Sequence, residues 1–127
     1  MEIYDTFVDL APMIVRRRLI IEGTLNALPS QKSISEYMTG LSNVMNMTIV
    51  SQPSFNYEEE YGLAAYMCWK ESGMHVYTWR ENGDRPNFVS IDIYTCKEFD
   101  LEKVIDFTKN SFQPVSYTHL TLPTKRI

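Results

Sequence analysis

Four strand-like segments follow one another through the middle of the chain, and their spacing is the feature that most constrains the fold. They cover residues 48–50, 61–70, 74–79 and 87–95, and polar or glycine-containing turns separate them. Antiparallel strands can be joined by such turns, whereas parallel strands need a crossover connection of about a dozen residues or more. The sequence therefore predicts a sheet in which the pairing is largely antiparallel.

Two helical patterns, each with a single apolar stripe, flank these segments. In the first, Ser33 and Glu36 have the spacing of a capping box. The stripe that follows at helical intervals consists of Ile34, Tyr37, Met38, Leu41, Val44 and Met45. The second pattern has Asp100 as its N-cap and stops before Pro114, because proline cannot continue a helix.

These patterns, with a further strand predicted over residues 18–25, indicate the fold class. Each helix has one apolar stripe, so each buries one face against the sheet. The sequence predicts an α/β fold, a two-layer sandwich of a mostly antiparallel sheet with the helices packed on one face.

The length of the chain favours one domain. With 127 residues, 44% of them hydrophobic, the chain can enclose one core but not two independently stable ones. We expect this domain to span residues 1–113. Residues 114–127 have no helical period, and residues 116–125 resemble a translated adaptor sequence that terminates some gene fragments. We therefore expect residues 114–127 to be a non-native or disordered tail outside the fold.

Charge and composition exclude several classes of partner. The formal net charge is -4 and the isoelectric point is about 5.1, which gives no basic surface for nucleic acid or an anionic membrane. No stretch approaches the roughly 20 apolar residues that span a bilayer, and residues 1–5 do not resemble a signal peptide. We expect a cytoplasmic protein with Cys68 and Cys96 as reduced thiols. Besides these thiols, zinc would find only His75 and His119, so no metal site is predicted.

Alternation along two of the strands predicts an aromatic and polar sheet face. Val89, Ile91 and Ile93 share one face of the last strand, and this face fits beneath the helices. The opposite face carries Phe88, Ser90, Asp92, Tyr94 and Cys96. In the preceding strand one face carries His75, Tyr77 and Trp79. Such a face is unusual towards solvent and indicates a pocket or a subunit interface.

Residues 70–81 and 90–96 contain a motif in two parts. The motif consists of Glu71, Ser72, Thr78, Trp79, Glu81, Asp92, Thr95 and Cys96. It resembles the core of bacterial S-adenosylmethionine decarboxylases, which have Glu-Ser-His, then His-Thr-Trp-Pro-Glu, then a strand with Asp-x-Phe-Thr-Cys. The strand order is also similar, so the resemblance covers residues 17–112. It implies an enzyme of polyamine biosynthesis that makes the aminopropyl donor for spermidine.

The resemblance also implies a role for several residues. That family cleaves its own chain at the Glu-Ser bond, which by position is the bond between Glu71 and Ser72. Ser72 would become a pyruvoyl group, a covalent cofactor that forms a Schiff base with the substrate amine and accepts electrons as carbon dioxide leaves. Cys96 would donate a proton, and Glu81 would bind the ribose of S-adenosylmethionine. The residues expected to stack on adenine or its sulfonium neighbour are Phe55, Tyr57 and Trp79.

Four positions depart from the family pattern. Tyr77 stands where the family has the histidine that assists self-cleavage, and Ala64 stands where it has a serine hydroxyl involved in processing. Gly73 replaces the histidine after the cleaved serine, and Arg80 replaces the proline before the ribose-binding glutamate. Tyrosine can supply a hydrogen bond in place of histidine. A phenol, with a pKa of about 10, is nevertheless a poor base at neutral pH.

Simpler interpretations of the same residues stay open. Ser72 and Gly73 also suit a hairpin turn, and Cys96 suits a small buried side chain at the end of a strand. Glu81 lies in a polar turn, where a solvated charge is the usual interpretation. His75 has no counterpart in the family pattern and is interpreted as a sheet histidine.

Other functions also stay open. One is an uncleaved relative that acts on S-adenosylmethionine as a lyase and releases methylthioadenosine. The others are a non-catalytic partner of an active homologue and a pyruvoyl-dependent decarboxylase of ornithine or arginine. The aromatic face and the short chain predict a homo-oligomer, which by resemblance is a dimer.

Overall fold

The computed structural model of the chain describes residues 8–122 as one sheet covered by two helices. The elements are β1 (Arg17–Leu25), α1 (Gln31–Val44), β2 (Ser54–Glu58), β3 (Gly62–Trp69), β4 (Ser72–Trp79), β5 (Asn87–Thr95), α2 (Leu101–Phe112) and β6 (Ser116–Leu122). The strand order is β2-β3-β4-β5-β1-β6, and every neighbouring pair is antiparallel. The predicted α/β fold with an antiparallel sheet is confirmed.

The core lies between the helices and one face of the sheet. The strands contribute Leu19, Ile21, Leu25, Ala65, Met67, Trp69, Met74, Val76, Val89, Ile91 and Ile93, and the helices contribute Ile34, Tyr37, Met38, Leu41 and Val104. Burial of one such side chain contributes about 1.5–3 kcal/mol, so a strand that slipped by one residue would lose several such contributions. This alternation fixes the register and leaves the other face of the sheet, here called the open face, without helices.

The two helices contact each other as well as the sheet. The hydroxyl groups of Tyr37 on α1 and Thr108 on α2 are 2.7 Å apart and form a buried hydrogen bond. On the sheet side, the indole N–H of Trp69 donates to the hydroxyl of Ser42 at 2.8 Å. These bonds satisfy polar groups that would otherwise be costly to bury. Within residues 8–122, neither helix is both long enough and apolar enough to cross a membrane.

The first helix begins one turn before the predicted cap. Ser30, not Ser33, is the N-cap, because its side chain accepts a hydrogen bond from the backbone N–H of Ser33 at 3.1 Å. Ser30 is in the extended conformation typical of that position. The predicted cap of the second helix is confirmed, since the side chain of Asp100 accepts from the N–H of Lys103.

The edges of the sheet differ from the sequence prediction. Residues 48–50 do not form a strand but make a single bridge between Ile49 and Trp69, beside the end of β3. The strand on that side is β2, whose side chains are mostly exposed and therefore give no apolar alternation. At the opposite edge, residues 116–122 form β6 against β1 rather than lying outside the fold. Residues 123–127 and residues 1–7 lie outside the described part of the chain.

Candidate functional site

The bond between Glu71 and Ser72 lies at the hairpin that joins β3 to β4. The carbonyl oxygen of Glu71 accepts a hydrogen bond from the backbone N–H of Cys96 at 3.0 Å. Cys96 follows β5, and Thr95 at the end of β5 pairs with Ser72. The antiparallel pairing of β4 and β5 therefore brings these three sequence-predicted residues together, and it points a donor at the Glu71 carbonyl.

Ser72 has a backbone conformation that residues with a side chain rarely adopt. Its φ angle is 136°. A non-glycine residue held in a sparsely populated region of this kind costs about 1–3 kcal/mol, and the surrounding structure must enforce it. Backbone strain is thus present at the residue that the family resemblance predicts to be the nucleophile.

The side chain of Glu71 is held by Thr48, a residue that no sequence motif singles out. The backbone N–H of Thr48 donates to one carboxylate oxygen at 2.9 Å, and its hydroxyl donates to the other at 3.1 Å. The N–H of Thr48 is the main cause that lowers the pKa of Glu71, and the charge of Lys97 adds to it. The carboxylate is therefore stabilised in its ionised form beside the hairpin.

Gly73 explains one departure from the family pattern. A Cβ atom placed on Gly73 would lie 2.6 Å from the carbonyl oxygen of Met67 and 3.1 Å from the hydroxyl of Tyr66. The ring of Tyr66 thus fills the space in which a side chain at position 73 would have to lie. A histidine directly after Ser72 does not fit this arrangement.

Replacing Gly73 with alanine is expected to lower the free energy of unfolding by about 1–3 kcal/mol, because the new methyl group overpacks the hairpin. Urea denaturation measures this change. Gly83→Ala is the comparison variant, since no atom lies within 4 Å of its added Cβ and any loss there comes from its positive φ of 59°, which Gly73 does not share. A loss at Gly73 no larger than the loss at Gly83 would contradict the packing argument.

A row of rings crosses the open face. The ring centroids are separated by 4.5 Å between Tyr66 and His75, 5.5 Å between His75 and Tyr77, and 6.2 Å between Tyr77 and Trp79. Phe88 on β5 continues the row, 5.5 Å from Trp79. Tyr77 is still 37% exposed, which is high for a large aromatic side chain in the middle of a sheet. The predicted aromatic face is present.

Two of the departures from the family pattern are neighbours in space. Tyr77 on β4 lies directly opposite Ala64 on β3. Side chains of directly opposed residues are close enough to interact. The small alanine and the large tyrosine therefore occupy one place on the open face, and neither supplies an imidazole or an aliphatic hydroxyl there.

Within one chain the predicted site residues lie at two ends of the sheet. Ser72 and Trp79 are the first and last residues of β4, and a rise of about 3.3 Å per residue separates them by about 23 Å. Tyr77 is about 17 Å from Ser72 by the same rule. The exposed Glu81 follows the far end of β4, and its backbone N–H donates to the side chain of Asn87 at 2.8 Å.

The two predicted stacking residues on β2 do not join the aromatic row. Phe55 packs against the core, beneath the helices. Tyr57 lines a cleft of about 360 Å³ with Gln31 and Arg80 at the same end of the molecule as Trp79. Among residues 8–122, no three histidine, cysteine or acidic side chains come together as metal ligands.

Comparisons with known proteins agree with the geometry of the sheet. The family model described as S-adenosylmethionine decarboxylase matches residues 20–124. An S-adenosylmethionine decarboxylase proenzyme of Pyrobaculum neutrophilum is 28% identical over 74 residues, which are 58% of this chain and 56% of that protein. The chain thus matches little more than half of that relative. The crystal structure of the adenosylmethionine decarboxylase from Aquifex aeolicus shares the fold, with a TM-score of 0.67, 17% identity, and coverage of 85% of this chain and 88% of that one.

Proposed function

Because the chain belongs to the S-adenosylmethionine decarboxylase family, we propose that it decarboxylates S-adenosylmethionine with a pyruvoyl group made by self-cleavage between Glu71 and Ser72. One observation carries this proposal. The Glu71 carbonyl accepts a hydrogen bond from the N–H of Cys96, directly before a serine with a strained backbone. The product is the aminopropyl donor for spermidine, and the enzyme works in the cytoplasm.

The cleavage uses groups that belong to the chain itself. The hydroxyl oxygen of Ser72 attacks the carbonyl carbon of Glu71 and loses its proton, and the peptide C–N bond breaks as the nitrogen gains a proton. Negative charge that develops on the Glu71 oxygen is stabilised by the N–H of Cys96. The resulting ester loses the Cα proton of residue 72, and the Cβ–O bond breaks to release the Glu71 carboxylate. Water then adds at the Cα of residue 72, and the nitrogen leaves as ammonia. The new N-terminus is a pyruvoyl group.

The residues around the hairpin fit this group. The pyruvoyl carbonyl supplies an electron sink for decarboxylation at the end of β4. The thiol of Cys96 is exposed and unpaired, and it follows the strand that pairs with β4 at Ser72. Cys96 therefore delivers a proton to the substrate carbon after carbon dioxide leaves.

The active unit is a homodimer whose open faces meet. The two ends of β4 are about 23 Å apart. This distance is too long for one small-molecule substrate to contact both ends of β4 in the same chain. A two-fold axis perpendicular to the strands brings the Ser72 end of one sheet opposite the Trp79 and Glu81 end of the other. Exposed aromatic rings on the open face, including Tyr77, support burial of that face in an interface.

Binding of S-adenosylmethionine then draws on both protomers. Glu81 binds the ribose hydroxyl groups, and the ring of Trp79 stacks on the adenine or the sulfonium. Tyr77 supplies a hydrogen bond in the site that it shares with the facing sheet. Phe55 and Tyr57 take no part in this stacking, because they lie on the helix side of β2, away from the open face.

Denaturing mass spectrometry of the purified chain tests self-cleavage. We expect two fragments, residues 1–71 and residues 72–127. The second fragment should be lighter by one ammonia than a fragment that begins with serine, because it begins with pyruvoyl. A single intact chain would exclude the pyruvoyl-dependent reaction.

A lyase reaction without cleavage is the second candidate, and the pairing of Ala64 with Tyr77 favours it. This position offers neither an imidazole nor a serine hydroxyl to assist processing. The sulfonium of S-adenosylmethionine is a good leaving group, so a site that only positions the substrate can release methylthioadenosine. Intact protein that forms methylthioadenosine would support this reaction. Intact protein that binds S-adenosylmethionine without forming any product would exclude it.

A further inference from the structure

Thr48 makes three hydrogen bonds to the two residues that precede Ser72. Its N–H and its hydroxyl donate to the two carboxylate oxygens of Glu71, at 2.9 Å and 3.1 Å. Its carbonyl oxygen accepts from the N–H of Lys70 at 2.8 Å. Thr48 lies between α1 and β2, so these bonds tie the β3–β4 hairpin to a different part of the chain.

We propose that Thr48 is a positioning residue for the cleavage of the Glu71–Ser72 bond, which it directs by clamping the Glu71 side chain. The inference rests on the proposed self-cleavage. No atom of Thr48 takes part in the bond changes, and its effect passes through Glu71.

Glu71 is held from two sides. Thr48 fixes its side chain, and the N–H of Cys96 fixes its carbonyl oxygen at 3.0 Å. With both ends fixed, the peptide plane between Glu71 and Ser72 has little freedom to rotate away. An unusual φ angle such as the 136° of Ser72 persists only where the surroundings over-determine it. The clamp is one of the contacts that hold Ser72 at this φ angle.

Fixed orientation matters for this reaction because the donor to the developing oxyanion is a single backbone N–H. Preorganised donors stabilise a transition state only where they point at the oxygen that gains charge. If the Glu71 side chain came free, the hairpin could relax and the carbonyl could turn from Cys96. The clamp therefore acts on the rate of cleavage rather than on which bond is cleaved.

The clamp requires an ionised carboxylate. Two donors point at the two oxygens of Glu71, and they lower its pKa from the ordinary value of 4.5, with a further contribution from Lys97 after β5. A lowered carboxylate pKa means that the stabilisation is present above the ordinary value and is lost as pH falls through the lowered one. The cleavage rate should therefore fall in acid as Glu71 takes up a proton.

The rate of cleavage after cell-free synthesis, followed by mass spectrometry at several pH values, tests the clamp. Thr48→Val removes the hydroxyl but keeps the shape and the backbone N–H. We expect about tenfold slower cleavage. In the plot of cleavage rate against pH, the fall of the rate in acid (the acid limb) should move to higher pH. Thr48→Ser restores the hydroxyl and should recover the wild-type rate and profile. Thr39→Val is the matched control, because Thr39 is exposed on α1.

Two results would overturn the proposal. One is cleavage of Thr48→Val at the wild-type rate with an unchanged acid limb. The other is a slow rate that Thr48→Ser fails to rescue, together with a melting temperature lowered in both variants, since this describes a structural role only.

The clamp can also be tested in a chain that does not cleave. In Ser72→Ala, NMR titration should find the Glu71 pKa below its ordinary value, and adding Thr48→Val should raise it. The amide of Cys96 should also exchange faster with solvent in that double variant. If the wild-type chain stays intact, the proposed function fails. If the Glu71 titration and the Cys96 exchange do not change, the clamp fails.

Discussion

A chain in which alanine replaces Ser72 is expected to remain one polypeptide and to have no decarboxylase activity. The substitution removes the attacking oxygen, and without cleavage no pyruvoyl carbonyl forms. Alanine experiences nearly the same backbone strain as serine at a φ angle of 136°, so the fold should be preserved. Mass spectrometry and release of carbon dioxide from S-adenosylmethionine measure the two effects.

The control for this variant is Ser51→Ala. Ser51 is exposed in the connection between α1 and β2 and lies outside the hairpin. We expect this variant to cleave and to turn over substrate like the wild type. If Ser72→Ala were still cleaved after Glu71, the assignment of Ser72 as the nucleophile would be contradicted.

The second large effect is the recovery of activity when two inactive variants are combined. Cys96→Ala removes the proposed proton donor at one end of the sheet but keeps the backbone N–H that faces Glu71. Glu81→Gln removes the carboxylate proposed to bind ribose at the other end. Each variant alone is expected to self-cleave and to be nearly inactive as a decarboxylase, because every site in its homodimer has one defect.

A heterodimer of these variants should regain about half of the wild-type activity, because one of its two symmetric sites carries both defects and the other carries none. Two different affinity tags allow this species to be purified. Activity no greater than the mean of the two homodimers would show that each site lies within one chain, and the proposed interface would then be wrong.

The centre of the sheet could be predicted from the sequence because its burial pattern has a period of two. In β5, Val89, Ile91 and Ile93 are buried to 3%, 0% and 0%, and this alternation is visible in the sequence. The α1 stripe was equally clear. Its cap was not, because Ser33 directly precedes the apolar Ile34 while Ser30 precedes the polar Gln31, and only the backbone conformation shows that Ser30 is the cap.

The edges of the sheet could not be predicted in this way. Within residues 8–122, β2 and β6 each pair with one neighbour and are largely exposed, so no apolar alternation marks them. Whether an edge segment forms a strand depends on its pairing with the neighbouring strand and on its β propensity. The sequence pattern shows the β propensity but not the pairing. Whether residues 114–127 are native sequence stays a prediction, although part of them forms β6.

The residues of the candidate site were predicted from the family resemblance, but their supporting contacts were not. Glu71, Ser72 and Cys96 were singled out by the family resemblance, and β4–β5 pairing brings them together; their roles stay predictions. Thr48 was missed because residues 48–50 were interpreted only as a strand, and the contact with Glu71, 23 positions further along the chain, arises only when the chain folds. Tyr66 was missed for a similar reason, since its position over Gly73 depends on the register of β3 and β4.

β6 has a consequence for any attempt to shorten this chain. It pairs with β1 over seven positions, from Arg18 with Leu122 to Thr24 with Ser116. A chain cut after residue 113 would leave the backbone N–H and carbonyl groups on that side of β1 unpaired, beside the fully buried Leu19. An uncovered strand of this kind is a template for pairing with other chains. Such a cut would thus make the more buried β1 the edge strand of the sheet in place of the largely exposed β6.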